Sequence, residues 1–217
     1  MAAPVVRTRP KFRGVFHEWA FFASLAIGGV LIAHASGERE TVAAAVFAGS
    51  VAAMFGASAL YHRVMWPTPE LRRLFAKLDH AAVYLLIAGT YTPFGLLVLT
   101  GGWRWTVLGI VWPGAAAAIA LKIVWGSAPK WVPATIGIGL GWIGVIAFPQ
   151  LTRIGVAGTV LLLAGGVCYT AGAIIYALRR PDPVPHVFGY HEIFHALVVA
   201  AAACQYVSIA FFVLRGN

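Results

Sequence analysis

Seven apolar runs dominate this chain and leave little room for anything else. They cover residues 18–35, 42–64, 79–100, 104–124, 132–149, 154–178 and 188–214. A helix needs about 20 mainly apolar residues to cross a bilayer. Seven such spans consume most of the 217 residues. Only 11% of the residues are charged, against about 25% in soluble domains. Mean hydropathy is +0.82. Intrinsic disorder and a water-soluble globular domain are both excluded. The expected fold is all-α: an integral membrane bundle of seven transmembrane helices, a multi-pass protein of the cell membrane. Residues 1–17 form a basic tail and 18–217 a single domain.

The connections between runs are short, and the longest is expected from Arg63 to Leu78. Basic residues in them report orientation, because cytoplasmic loops of membrane proteins are enriched in Lys and Arg. With a cytoplasmic N-terminus, one side collects Arg7, Arg9, Lys11, Arg13, Arg63, Arg72, Arg73, Lys77, Lys122, Lys130, Arg179 and Arg180. The other holds Arg39, Arg104, Arg153 and Arg215. The 12-to-4 split predicts the N-terminus inside and the C-terminus outside. It also explains the net charge of +9 without nucleic acid as a partner. Ala33-His34-Ala35 imitates a signal-peptide cleavage site, but the run from Glu18 is long for one. Span one is expected to be retained. Cys168 and Cys204 form no CxxC pair and predict no redox chemistry.

Ionisable residues inside membrane spans are costly and point to function. Ser58 and His62 lie near the end of span two, Asp79 and His80 open span three, and His191, Glu192 and His195 lie near the start of span seven. The predicted topology brings all three clusters to a similar depth on the cytoplasmic side. His191 and His195, four apart, share one helix face and can chelate one metal, with His62 the natural third ligand. Three nitrogen ligands with a fourth position left to water suit catalytic zinc, which lowers the pKa of that water to about 7. Asp79 and Glu192 compete to hold or deprotonate it.

Blander readings stand beside these. Asp79 can be a residue favoured at a helix N-terminus. Ser58 fits helix packing. His80 points about 100 degrees away from Asp79 and reads as interfacial. His17, Glu18, His34 and His186 sit at span boundaries and read as solvated. Thr90, Thr92 and Pro93 suggest a kink. His191-Glu192-Ile193-Phe194-His195 also fits HExxH, the zinc-protease pattern with Glu as base. Ser58 with His62 as base is a further, weaker alternative.

Three blocks carry a resemblance to the hemolysin III family. They are Ser58-Ala59-Leu60-Tyr61-His62; Leu78-Asp79-His80 leading to Ala88-Gly89-Thr90-Tyr91-Thr92-Pro93; and Phe188-Gly189-Tyr190-His191-Glu192-Ile193-Phe194-His195. That family looks like the bacterial branch of the progestin and adipoQ receptor proteins, within a wider group that includes alkaline ceramidases. The resemblance implies zinc held by His62, His191 and His195, a zinc-bound water held by Asp79, and Ser58 beside the site. It implies membrane lipids as partners and hydrolysis of a lipid amide bond. The alternative is a non-enzymatic role in membrane homeostasis or haemolysis with structural zinc. Span one departs from the family pattern: Phe21 and Leu25 stand where an Asn and a His are usual, although Glu18 survives.

Overall fold

In the computed structural model, which describes residues 10–214, the apolar runs become eight α-helices and no strand. These are α1 (Val15–Ala33), α2 (Glu38–Arg63), α3 (Pro69–Pro93), α4 (Gly102–Val124), α5 (Trp131–Gly141), α6 (Phe148–Leu151), α7 (Gly155–Leu178) and α8 (Tyr190–Ser208). Arg7, Arg9 and Arg215, with the first half of the basic tail, lie outside the described residues.

Six helical stretches among the described residues are long and apolar enough to cross a membrane. Five match expected spans. The sixth, Trp131–Leu178, joins two of them in one run of 48 residues. A straight helix of that length would measure about 72 Å, more than twice the apolar core of a bilayer. The run does not stay straight, because α5 packs against α7. Gly137, Gly139 and Gly141 weaken the helix, Pro149 removes a backbone donor, and between α5 and α7 the chain tightens into 3₁₀ turns at Ile143–Ala147 and Thr152–Ile154.

The expected connection from Arg63 to Leu78 shrinks to residues 64–68, because α3 starts at Pro69. The start signals are local. The Thr68 hydroxyl accepts the Leu71 N–H at 3.3 Å, and Pro69 suits the first helical position, where no N–H is needed. Glu70, Arg72, Arg73 and Lys77 hid this turn from an apolarity reading. Asp79 therefore lies in the third turn of α3. The helix dipole does not account for Asp79, since its effect fades within the first turn. At the other end of α3, Pro93 cannot donate to the residue four before it. The ladder slips to a π turn, Phe94–Val98, closed by Leu99 N–H to Phe94 O at 2.9 Å.

Packing follows membrane rules, with small residues between helices and apolar side chains outside. On α1 the buried residues are His17, Ser24, Gly28 and Leu31, a polar-and-small stripe turned to the bundle. Trp19, Phe22, Trp105 and Val156 are exposed, which suits lipid. Most buried side chains are apolar, but His17, Ser58, His62, His191, Glu192 and His195 are buried together with them.

Candidate metal centre

The polar exceptions meet at one end of the bundle. The last turns of α2 supply Ser58 and His62, the first turns of α8 supply His191 and His195, and α3 supplies Asp79. His191 and His195 stack one turn apart on the buried face of α8, with ring centroids 4.4 Å apart. His62 faces both, at 4.8 Å from the ring of His191 and 5.0 Å from that of His195.

Their ligand nitrogens converge. His62 Nε2 and His191 Nε2 are 3.1 Å apart, and the three candidate ligand atoms lie within 4.8 Å of one another. Two nitrogens bound tetrahedrally to one zinc at 2.0–2.1 Å sit about 3.3 Å apart. The His62–His191 pair already meets that spacing. A third ligand atom inside 4.8 Å is within reach of a side-chain rotation. Burying unpaired polar rings is unfavourable, and His195 Nδ1 has no hydrogen-bond partner among the described residues. A shared cation answers that cost, so the group fits a metal ion and its nitrogen set suits zinc.

Asp79 adds the carboxylate. Its Oδ2 lies 3.5 Å from His62 Nε2, and Ser58 lines the same cavity beside it. Glu192 is committed elsewhere. It is fully buried, its Oε1 forms an ion pair with Arg13 Nε at 2.7 Å, and its Oε2 accepts the Gly189 N–H at 2.9 Å. Glu192, three residues after Gly189, thereby satisfies the free N–H at the N-cap of α8.

His17 corrects the expectation most sharply. Read as solvated, it is 1% exposed. Helix α1 begins at Val15, three residues before the expected span, and turns His17 inward. Its Nδ1 is 2.8 Å from Ser58 Oγ, and its ring stacks on His195 at 3.8 Å and 9°. Rings stacked face to face aim their in-plane lone pairs along parallel planes, not at one point. His17 is therefore placed to brace a candidate ligand rather than to add a fourth. Span one, whose departures from the family pattern removed an Asn and a His, enters the site by this other residue.

The chain before α1 closes this end. Lys11 N–H donates to His186 O at 3.1 Å and Phe12 N–H to Val187 O at 3.2 Å. Gly14 has φ +81, and a Cβ there would meet His62 Cβ at 2.5 Å. Only glycine combines that backbone with so close an approach.

The remaining candidates fall into place around this centre. His80 is half-buried. Its Nδ1–H donates to Ala76 O at 2.5 Å, so Nε2 faces the Tyr176 hydroxyl at 3.1 Å as acceptor. Lys130 donates to the Tyr190 hydroxyl at 2.9 Å and lies over the rings of Tyr176 and Tyr190. Glu18 pairs with Arg63 at 2.7 Å, and His34 and His186 are exposed as expected. Below the histidines a cavity of about 200 Å³ opens, with walls that are mostly apolar. It runs along α3 from Asp79 to Tyr91, about 18 Å at the α-helical rise, and on to Phe94 in the π turn.

A brace acts through what it touches. Removing a group that orients a metal-bound histidine typically costs 10–100-fold in metal affinity. His17→Ala should therefore weaken zinc binding about tenfold in a competition titration against a chelating dye. His17→Phe, which keeps a ring against His195, should recover most of the loss. Equal affinity in wild type and His17→Ala would remove the bracing role.

Known proteins with similar sequences cover this whole arrangement. The family described as Haemolysin-III related matches residues 5–206, a range that contains every residue of the centre. The Bacillus cereus protein Hemolysin-3 is 36% identical over 191 residues, which are 85% of this chain and 83% of that protein. The Hemolysin-3 homolog of Bacillus subtilis (strain 168) is 30% identical over 177 residues, 81% of this chain and 79% of that protein. An adiponectin receptor protein of Drosophila melanogaster is 28% identical over 193 residues, 80% of this chain and 43% of that protein.

Proposed function

The chain belongs to the haemolysin-III-related family of multi-pass cell-membrane proteins, and from that premise we propose that it hydrolyses lipid amide bonds with the help of a zinc ion held by His62, His191 and His195. One observation carries the reading. Three buried imidazoles and the Asp79 carboxylate meet where one long apolar cavity ends. The cavity suits an acyl chain, and the polar end suits the carbonyl to which that chain is attached. The choice of an amide rests on the resemblance to alkaline ceramidases.

A zinc ion in this centre supplies Lewis acidity, which polarises a carbonyl and eases the deprotonation of water. The rest falls to side chains. Asp79, beside His62, accepts a hydrogen bond from the attacking water and takes its proton at a carboxylate oxygen. It then returns that proton to the leaving nitrogen. Ser58, fixed by His17 at 2.8 Å, orients the polar end of the substrate. The apolar walls exclude bulk water and hold the acyl chain along α3. Glu192 has both oxygens engaged, by Arg13 and by Gly189. This favours Asp79 as the base over the HExxH protease assignment.

The same reading counts Trp131–Leu178 as two crossings and the bundle as seven. It places the N-terminus and the metal centre on the cytoplasmic side, in line with the basic residues around them.

Zinc-loaded protein reconstituted in vesicles should release free fatty acid from an N-acyl sphingoid lipid. A chelator should stop the release, and added zinc should restore it. Zinc-loaded protein that leaves N-acyl lipids intact would instead support a structural metal in a non-enzymatic protein.

A further inference from the structure

Far from the histidines, the cavity contains a second polar place. Gln205 on α8 is 4% exposed and lines the cavity wall. Its Nε2 donates to Leu162 O on α7 at 3.1 Å. That bond needs a donor, which fixes which way the amide points and leaves Oε1 aimed elsewhere. Oε1 is buried and has no hydrogen-bond partner among the described residues. Gly165 makes the room: a Cβ there would stand 2.6 Å from Gln205 Nε2.

A second atom repeats the pattern. The Tyr169 hydroxyl is buried and also lacks a partner, and Tyr169 lines the same cavity. The other tyrosine hydroxyls in this lining are all engaged. Tyr84 donates to Pro133 O, Tyr91 to Gly141 O, and Tyr176 meets His80. Tyr169 stands one turn after Gly165 on the same face of α7, and Gly165 is the residue Gln205 packs against. An unpaired acceptor and an unpaired hydroxyl are thus buried in the lining of one mostly apolar cavity. Buried polar groups are rarely left unpaired, and a plain methylene chain running past would leave both so.

We infer that the cavity has a mid-membrane subsite, formed by Gln205 and Tyr169, that recognises a hydroxyl carried within a long acyl chain. This rests on the proposed function, in which the acyl carbonyl sits at the histidines. Gln205 follows His195 by ten residues, about 15 Å along the helix, so an extended chain arrives there about ten to twelve carbons from its carbonyl. The chain hydroxyl donates to Gln205 Oε1 and accepts from Tyr169. The preferred ligand class is the hydroxylated long-chain acyl group, with the hydroxyl in mid-chain and not beside the carbonyl.

Two fatty acids separate this subsite from the cavity itself. Octadecanoic acid and 12-hydroxyoctadecanoic acid are each titrated against zinc-loaded protein in vesicles by displacement of radiolabelled octadecanoate. The ratio of their affinities is compared between variants, because partition into the bilayer is common to all of them. One added hydrogen bond predicts that the wild-type ratio exceeds that of Gln205→Leu by about five- to tenfold. Gln205→Glu, whose neutral acid keeps both a donor and an acceptor, should retain the preference, and Tyr169→Phe should lose part of it. Unchanged octadecanoate binding by Gln205→Leu shows that this variant is folded. 2-Hydroxyoctadecanoic acid should gain nothing from Gln205. Equal ratios in wild type and Gln205→Leu, with octadecanoate still bound, overturn the subsite and leave the acyl cavity standing. Failure of wild type to bind octadecanoate overturns both.

Discussion

Replacing Asp79 with asparagine should lower amide hydrolysis by about 10²–10⁴-fold, the contribution of a positioned general base, while leaving zinc bound. Asparagine keeps the shape of the side chain and a hydrogen-bonding oxygen. It loses the ability to take a proton. The carboxylate lies 3.5 Å from His62 Nε2, so its loss also removes an interaction with one ligand, worth at most a modest change in metal affinity. Rate and affinity should therefore separate. The matched control is Glu192→Gln. Glu192 is held by Arg13 and caps α8 through Gly189, so its replacement should lower thermal stability and change the rate of the folded fraction little. Fatty-acid release and zinc content measured on the same preparations distinguish the two. The opposite pattern, with Glu192→Gln inactive and Asp79→Asn mild, would return the HExxH assignment.

Replacing any one of His62, His191 or His195 with alanine should remove zinc binding at micromolar metal and abolish hydrolysis with it. Losing a direct ligand costs more than the 10–100-fold typical of losing a group that only orients one. Two ligands remain in each variant, but two imidazoles leave half of a tetrahedral site to water. All three histidines are buried, so each alanine also leaves a space, and a fall in stability is expected in every variant. Metal titration on the folded fraction separates the two effects. The His62→Ala variant is the most informative, because His62 comes from α2 while the other two share α8. If the α8 pair alone held the metal, His62→Ala would bind as wild type does.

What the sequence revealed depended on how local each signal was. The spans were legible because a bilayer demands long apolar runs, and each run announces itself without reference to the others. The pair His191 and His195 was legible for the same reason, since spacing by four on a helix fixes a shared face. His62 and Asp79 followed once topology set a common depth. His17 did not follow. Nothing near residue 17 encodes that it will meet Ser58 and stack on His195, which only packing of α1 against α2 and α8 decides. A partial signal existed in the stripe His17, Ser24, Gly28 and Leu31, the polar-and-small face that membrane helices turn to one another. The early start of α3 was obscured by its own charges, although Thr68 and Pro69 are ordinary start signals. Gln205 carries no such signal, because a neutral amide within an apolar run is not marked by charge. The Arg13–Glu192 pair escaped because its members are 179 residues apart in sequence. The break within Trp131–Leu178 is written in glycines and a proline, which mark where a helix weakens but not how sharply the chain turns.

The central claim, that three histidines from two helices hold one zinc ion, is tested most directly by elemental analysis of the purified protein after exposure to excess zinc and removal of loosely bound metal. The account predicts one zinc per chain in wild type and in Asp79→Asn, and a content near zero in His62→Ala, His191→Ala and His195→Ala. Wild type without zinc, or the same zinc content in wild type and the three histidine variants, would contradict it.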